Sequence, residues 1–349
     1  MKRTENGWEY TGSATHRLWE KSAIGRLIEG EKLALSDSEV IFCRDHRNID
    51  FPYEGWLEEA ISRDSSLLEE AAVLESLRVP GNKVVLRNNC ERFGFEYSAL
   101  SWAMRWPSDK HPSKDSPTSE IIYFRSFEAF SVGDLYNWCL EVTDSGKIAE
   151  VIVIDEEHSV VTYRLVVSEM EGQMSPPGKE DFQKIARMKN ENTSFGAFFP
   201  DTKDWKFENI GIPLHGGRQL DSLETEIILG KYDDGGNLAI CEELNLSASL
   251  LLDLWNRGLN TRSGFKYGTA WRCYPGNVGD GHAPWLVVDP HSKIIESSPK
   301  DWAAACLSSR LASGVNKHWV HPYYDGKSWC YLELSRPPSD SRWTNPTRK

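Results

Sequence analysis

The 349-residue chain contains no run of about 18 apolar residues, so it offers no segment for a membrane-spanning helix. Its opening Met-Lys-Arg-Thr-Glu-Asn-Gly lacks the apolar stretch of a secretory signal, and none is expected. Cysteines are few and odd in number: Cys43, Cys90, Cys139, Cys241, Cys273, Cys306 and Cys330, with no C-x-x-C. That pattern argues for a reducing, cytoplasmic setting and against a structural zinc site. The cysteines then read as small buried apolar residues. The Gly-rich stretch Gly276–Gly281 is followed by no G-K-[ST], so it is a turn and not a phosphate loop. Asp289-Pro290 with Lys293 lacks the E-x-K that would complete a metal-nuclease set. His318 and His321, three apart, would face opposite sides of a strand and make a poor metal pair. No metal and no cofactor is expected.

What is present is an ordinary soluble composition, 40% hydrophobic and 26% charged, with 14 Trp to build aromatic cores. The net charge of −12 looks wrong for a nucleic-acid binder, but it is unevenly spread. Residues 251–349 carry 13 Lys and Arg against 8 Asp and Glu, whereas residues 1–250 carry 27 against 44. A local positive balance in an acidic protein is a hint of a polyanion site, although a surplus this modest can also arise by chance.

The chain echoes itself. Leu18-Trp19-Glu20-Lys21-Ser22-Ala23-Ile24-Gly25, with Leu33 and Ser38-Glu39-Val40-Ile41, parallels Trp205-Lys206-Phe207-Glu208-Asn209-Ile210-Gly211, with Leu220 and Thr225-Glu226-Ile227-Ile228. Arg92-Phe93-Gly94-Phe95-Glu96-Tyr97 parallels Ser263-Gly264-Phe265-Lys266-Tyr267. Spacings near half the chain length suggest a duplicated unit and not a solenoid. Each half opens on helical periodicity, Leu67–Leu77 and Ser247–Leu254, the latter with a Ser able to cap its start. Short strands follow at Val84–Leu86 and Trp285–Val288, then helices at Asp134–Val142 and Trp302–Leu311. Paired strands close each half: Val151–Ile154 with Val160–Val166, and Lys317–Tyr323 with Trp329–Leu334. The class is α/β, a mixed α+β arrangement of two tandem repeats, each a small N-terminal α/β subdomain followed by a mixed-sheet subdomain. The expected segments are 1–65, 66–170, 171–245 and 246–349, with the Pro- and Gly-rich stretch 169–180 as the junction. Segment 106–118 reads as an exposed loop, and the tail from Pro337 as polar and partly disordered.

Tyr274, His282 and Lys317 form the most informative set. A Tyr can take a proton, a His can give one, and a Lys can steady the charge that builds between them, which suffices to cleave a phosphodiester without a metal. Alone, each has an ordinary reading: a packed strand tyrosine, a surface or core histidine, a solvated lysine. A phenol with an ordinary pKa of about 10 needs help from a neighbouring cation to act as base.

Gly264-Phe265-Lys266-Tyr267-Gly268, Tyr274-Pro275-Gly276, His282 opening an apolar strand, and Arg310-Leu311-Ala312-Ser313-Gly314-Val315-Asn316-Lys317 together resemble the archaeal tRNA-splicing endonucleases. The likeness is strong over 260–318. It implies metal-free cutting of precursor tRNA at bulge-helix-bulge junctions, with Tyr274 as base for the 2′-OH, His282 as acid for the leaving 5′-oxygen and Lys317 stabilising the pentacoordinate phosphate. The products implied are a 2′,3′-cyclic phosphate and a 5′-OH. Arg310 matches a position that grips a flipped base, and Arg336 is its implied stacking partner; Arg310 could instead pair with a local carboxylate. Without the resemblance, Asp155-Glu156-Glu157 is a charged turn; with it, the segment becomes an acidic loop that docks on a basic pocket in a homodimer. In the first half the place of Tyr274 falls near Trp106, that of Lys317 on Ala149, and His111 lies near the His282 region, so an inactive first repeat and an active second are implied. Two positions depart from the family habit, Asn277 after Tyr-Pro-Gly and Ala283 after the His. The alternatives are a structural RNA-binding protein of the same fold and a metal-dependent nuclease, which EDTA would silence.

Overall fold

The computed structural model describes residues 1–5, 7–28, 32–203, 205–232, 238–239, 244–292 and 297–344. Cys241 and Lys293 lie outside them. The chain divides into two units, Met1–Val166 with Lys300–Ala305 and Ser335–Lys349, and Val167–Pro299 with Cys306–Leu334.

Unit 1 begins with β1 (Lys2–Thr4), β2 (Gly7–Tyr10), α1 (Thr15–Ser22), β3 (Arg26–Ile28) and β4 (Lys32–Leu35), the strands pairing antiparallel in the order β1-β2-β4-β3. The chain then enters α2 (Asp37–Arg47) through a capping box. Ser36 Oγ accepts the Glu39 N–H at 3.2 Å and Glu39 Oε2 accepts the Ser36 N–H at 3.1 Å. The other oxygen of Glu39 accepts the Gly25 N–H at 2.8 Å and Arg78 Nη2 at 3.0 Å. Both side chains are buried, and Arg78 also donates to the carbonyls of Ser22, Ala23 and Val84. After α3 (Trp56–Arg63) and α4 (Leu67–Arg78) come β5 (Lys83–Leu86), α5 (Arg87–Phe93), β6 (Ala103–Trp106), β7 (Ser119–Arg125), α6 (Val132–Asp144), β8 (Ile148–Ile154) and β9 (Val160–Val167). The strands run in the order β5-β6-β7-β8-β9, antiparallel except for β7 with β8, which α6 joins because parallel strands need a long crossover. Trp8, Leu18, Phe42, Trp56 and Leu74 are buried in its main core.

Two sequence expectations are corrected here. Segment 106–118 is partly packed: Trp106 is fully buried, Pro112 is buried, and His111 Nε2 lies 3.0 Å from the Trp19 carbonyl. The tail after Pro337 is anchored as far as it is described. Trp343 exchanges hydrogen bonds with Thr162 at 2.9 and 3.0 Å, and its ring centroid lies 5.2 Å from the Arg105 guanidinium. Docking of one large aromatic outweighs the polarity of its neighbours.

Unit 2 carries α7 (Lys179–Ala186), β10 (Glu191–Thr193), β11 (Gly196–Phe199), β12 (Ile212–Leu214), β13 (Gly217–Gln219) and α8 (Ser222–Leu229). Strands order as β10-β11-β13-β12, all antiparallel. Helix α8 has its own capping box: Asp221 accepts the Glu224 N–H at 2.8 Å, and Glu224 accepts the N–H groups of Asp221 at 2.9 Å and Gly211 at 2.8 Å. Glu224 therefore holds the position of Glu39, where the sequence parallel had put Glu226. A short pair, β14 (Lys231–Tyr232) and β15 (Leu238–Ala239), leads to α9 (Leu246–Asn256), capped by Asn245 and not by Ser247. Then come β16 (Asn260–Ser263), a 3-10 turn at Phe265–Tyr267, β17 (Trp271–Tyr274), β18 (Trp285–Val287), α10 (Trp302–Gly314), β19 (His318–Tyr324) and β20 (Trp329–Ser335). Their order is β16-β17-β18-β19-β20, with only β18 and β19 parallel. Phe199, Leu250, Leu254, Trp255, Trp271 and Tyr331 are buried in one cluster, each side chain of this size contributing about 1.5–3 kcal/mol by leaving water.

The two glutamates differ in their partners, and so should the cost of losing them. Glu39→Ala strands the buried Arg78 charge and is expected to cost about 3–5 kcal/mol. Glu224 forms no ion pair among the described residues, and burial together with the Asp221 charge pushes its carboxyl up from 4.5 to about 7. The folded state thus binds a proton that the unfolded chain releases earlier, and its stability falls as pH rises from 4.5 to about 7. Urea unfolding at stepped pH should show that fall as the difference between the wild type and Glu224→Ala.

Candidate active site

Strand register brings Tyr274 and Lys317 to one end of β17, β18 and β19, and His282 stands in the turn that leads into β18. Cys273 pairs with Trp285 across β17 and β18, and Trp285 pairs with His318 across β18 and β19. Tyr274 is one residue beyond this row and Lys317 one residue before it. Because side chains alternate along a strand, Tyr274 and Lys317 leave the same face, opposite to Cys273, Trp285 and His318. The two flank β18, and neighbouring strands lie about 4.8 Å apart. His282 stands three residues ahead of Trp285, at the end of the turn Gly276–Gly281. That turn is exposed, and a Cβ on Gly276, Gly279 or Gly281 would meet nothing within 4 Å.

Each side chain has a distinct setting. Tyr274 is 8% exposed, and the Arg272 guanidinium, two residues back on the same face, lies 6.0 Å from its ring centroid. His282 is exposed and makes no hydrogen bond or ion pair among the described residues. Lys317 Nζ donates to the carbonyl of Ala283, the residue after His282, and sits 5.7 Å from the centroid of Tyr267. Partial burial, and then the like charge of Arg272, hold the Lys317 amine below the usual lysine value. Arg272 has no role in the sequence reading, although its spacing of two from Tyr274 on a strand is a signal for it. Tyr267 stands there within the Gly264–Gly268 motif, but only the hairpin tip brings it to Lys317.

The backbone that carries Tyr274 is held from a distance. Gln173 N–H donates to the Pro275 carbonyl at 2.6 Å, Gly172 N–H to Arg257 O at 2.8 Å, and Met174 N–H to Gly258 O at 2.9 Å. A Cβ on Gly172 would lie 2.0 Å from Gly258 O, and Gly258 adopts a φ of +72°, so both positions require glycine. The supposed linker 169–180 is thus partly a brace for the Tyr274 turn.

Arg310 is exposed on α10, within unit 2, and Arg336 is exposed just after β20, in the stretch that belongs to unit 1. Asp155, Glu156 and Glu157 are exposed at the β8–β9 turn of unit 1. The Asp155 carboxylate shapes that turn by accepting Glu157 N–H at 3.0 Å and Ser159 N–H at 2.7 Å. His318 pairs with Glu333 at 2.8 Å, whereas buried His321 has its imidazole pushed down to about 4 and contacts Ser298 Oγ. An apolar cavity of about 850 Å³ opens elsewhere in unit 2, lined by Phe195, Leu214, Leu223, Leu246 and Trp271; none of Tyr274, His282 and Lys317 lines it.

The same register in unit 1 identifies the corresponding positions there. Arg105 pairs with Ser119 and Ser119 with Ile148, so the place of Tyr274 is Trp106, as the sequence indicated. The place of Lys317 is Lys147, not Ala149. Lys147 N–H donates to Val142 O as Lys317 N–H does to Ala312 O. Its amine is bound by Glu120 at 2.6 Å and by the Glu96 carbonyl at 2.9 Å. The place of His282 is Ser116; His111 is engaged with Trp19 and Ser113.

Residues 246–329 match the family described as tRNA intron endonuclease, catalytic C-terminal domain, a span that includes Tyr274, His282, Arg310 and Lys317. The chain is 24% identical over 353 residues to a tRNA-splicing endonuclease of Methanococcoides burtonii, covering 91% of this chain and 96% of that one. It is 30% identical over 226 residues to one from Thermoplasma volcanium, covering 64% of each chain, and 27% identical over 225 residues to one from Picrophilus torridus, covering 64% of this chain and 66% of that one.

Lys317 should titrate below the ordinary 10.5. NMR of the labelled lysine, assigned with Lys317→Arg, should show this, and Arg272→Gln should move the midpoint upward by removing the like charge. A midpoint at or above 10.5 would contradict the placement of the amine.

Proposed function

We propose that the chain, similar along most of its length to a tRNA-splicing endonuclease, cuts precursor tRNA at bulge-helix-bulge exon–intron junctions by a metal-independent lyase reaction. The observation that carries this reading is the shared sheet face of Tyr274 and Lys317 beside His282. Tyr274, as phenolate, takes the proton of the 2′-OH; O2′ bonds to phosphorus as the bond to O5′ breaks; His282, protonated, hands its proton to O5′. Lys317 meets the charge on the pentacoordinate phosphate. A 2′,3′-cyclic phosphate and a 5′-OH result, and no water or metal enters the balance. The Arg272 cation beside the Tyr274 ring adds to the positive charge that meets the phosphate.

On this reading the four segments 1–65, 66–170, 171–245 and 246–349 are two repeats, of which only the second reacts. Trp106 offers no hydroxyl, Ser116 no imidazole, and Lys147 is neutralised by Glu120. Arg310 grips a splayed base, and Arg336 is a further RNA contact. Two chains form a homodimer in which the exposed Glu156 and Glu157, with Asp155 shaping their turn, dock on a basic surface of the partner, so that two sites meet the two bulges of one RNA. Cys43, Cys90, Cys139, Cys273, Cys306 and Cys330 form no disulfide, which suits a cytoplasmic protein.

The purified protein, in EDTA, should cleave an RNA carrying a bulge-helix-bulge and leave those end groups. His282→Ala and Tyr274→Phe should each lower the rate by roughly 10²–10⁴-fold with RNA binding retained. Cleavage that requires Mg²⁺ would overturn the mechanism, and binding without cleavage would make the chain a structural RNA-binding protein.

A further inference from the structure

The hairpin tip between β16 and β17 presents aromatic rings where a soluble protein has little reason to keep them. Phe265 is 75% exposed and Tyr267 36%, with Lys266 exposed between them. An isolated exposed apolar residue means little by itself. Two further observations give this pair significance. The tip is built to hold its shape: Tyr267 N–H donates to Gly264 O at 2.7 Å and Gly264 N–H to Ala270 O at 2.9 Å. A Cβ on Gly264 would fall 2.4 Å from Thr269 Oγ1, and Gly268 takes a left-handed φ of +68°. The tip is also next to the chemistry, since Lys317 Nζ lies 5.7 Å from the Tyr267 ring and Arg272 acts on the same amine.

Rigid aromatic faces beside cations are what an unpaired nucleotide needs. The cations take its phosphate and the rings take the face of its base, whatever the base is. We propose that Phe265 and Tyr267 form a stacking ledge for the unpaired nucleobase next to the scissile phosphate, setting that phosphate against Lys317. The inference rests on the RNA-cleaving reading above. The ledge lies on the β16–β17 tip and Arg310 on α10. Tyr267 contributes twice, since its ring takes a base and also borders the Lys317 amine.

The test uses the full chain and a bulge-helix-bulge RNA with a 2′-deoxy nucleotide at the cleavage site, which cannot react, and 2-aminopurine at each bulge position in turn. Wild type should quench one position adjacent to the cleavage site. Phe265→Ala should lose that quench and bind roughly tenfold or more weakly. Tyr267→Phe should keep the quench and Tyr267→Leu should lose it. Unmodified RNA is cleaved in parallel to separate the two readings. If wild type cleaves and Phe265→Ala leaves both quench and affinity unchanged, the ledge is overturned and the endonuclease reading stands. If Phe265→Ala changes the sedimenting species and not the quench, the ring is a protein contact and the ledge is equally overturned. If wild type neither binds nor cleaves, both readings fall.

Discussion

Parallel strands cannot be joined by a tight turn, and in unit 2 that constraint fixes the reacting groups. Strands β18 and β19 must be linked across the sheet by α10, and the return of the chain from α10 sets where β19 begins. The Trp285–His318 pairing then leaves Lys317 one residue short of the sheet, on the face of Tyr274. A slip of one residue in this pairing would send the lysine to the opposite face and exchange it for His318. The Lys317 bond to the Ala283 carbonyl reinforces the register from the side-chain end and draws the lysine towards His282.

Much of this was legible in the sequence. The helices at 67–78 and 302–314, the closing strands and the Tyr/His/Lys set follow from periodicity and motif. The equivalence of Tyr274 with Trp106 also survives, because strand pairing and sequence spacing agree there. Two equivalences slipped, each by two residues: Ala149 for Lys147 and Glu226 for Glu224. In both, a local likeness of letters drew the comparison, whereas hydrogen bonds from residues far along the chain decide position. The Val142 carbonyl that receives Lys147 N–H and the Gly25 and Gly211 amides that reach Glu39 and Glu224 leave no mark in a short window. Trp343 escaped for the same reason, since its partner Thr162 is 181 residues away in sequence.

The two sheet edges show how little chemistry separates a reactive site from a structural one. Both keep a lysine at the same register position. In unit 1 the next residue of the row is Glu120, 1% exposed, which claims the amine; in unit 2 that position is Leu286, and the amine is left to a carbonyl. A buried carboxylate paired with a largely buried amine is costly to break. It therefore stiffens the unit 1 edge and removes the charge that a phosphate would seek.

The contact between Gly172 and Gly258 has a consequence for sequence change around Tyr274. A contact made by two bare backbones has no conservative replacement, since every substitution at either position inserts atoms where none fit. Gln173, between them and the Tyr274 turn, contributes to that turn through its main-chain N–H. Any residue but proline can supply an N–H. The brace thus combines two positions at which drift is closed with one at which it is nearly free, and a lineage can vary the side chain at 173 without disturbing the tyrosine it helps to hold.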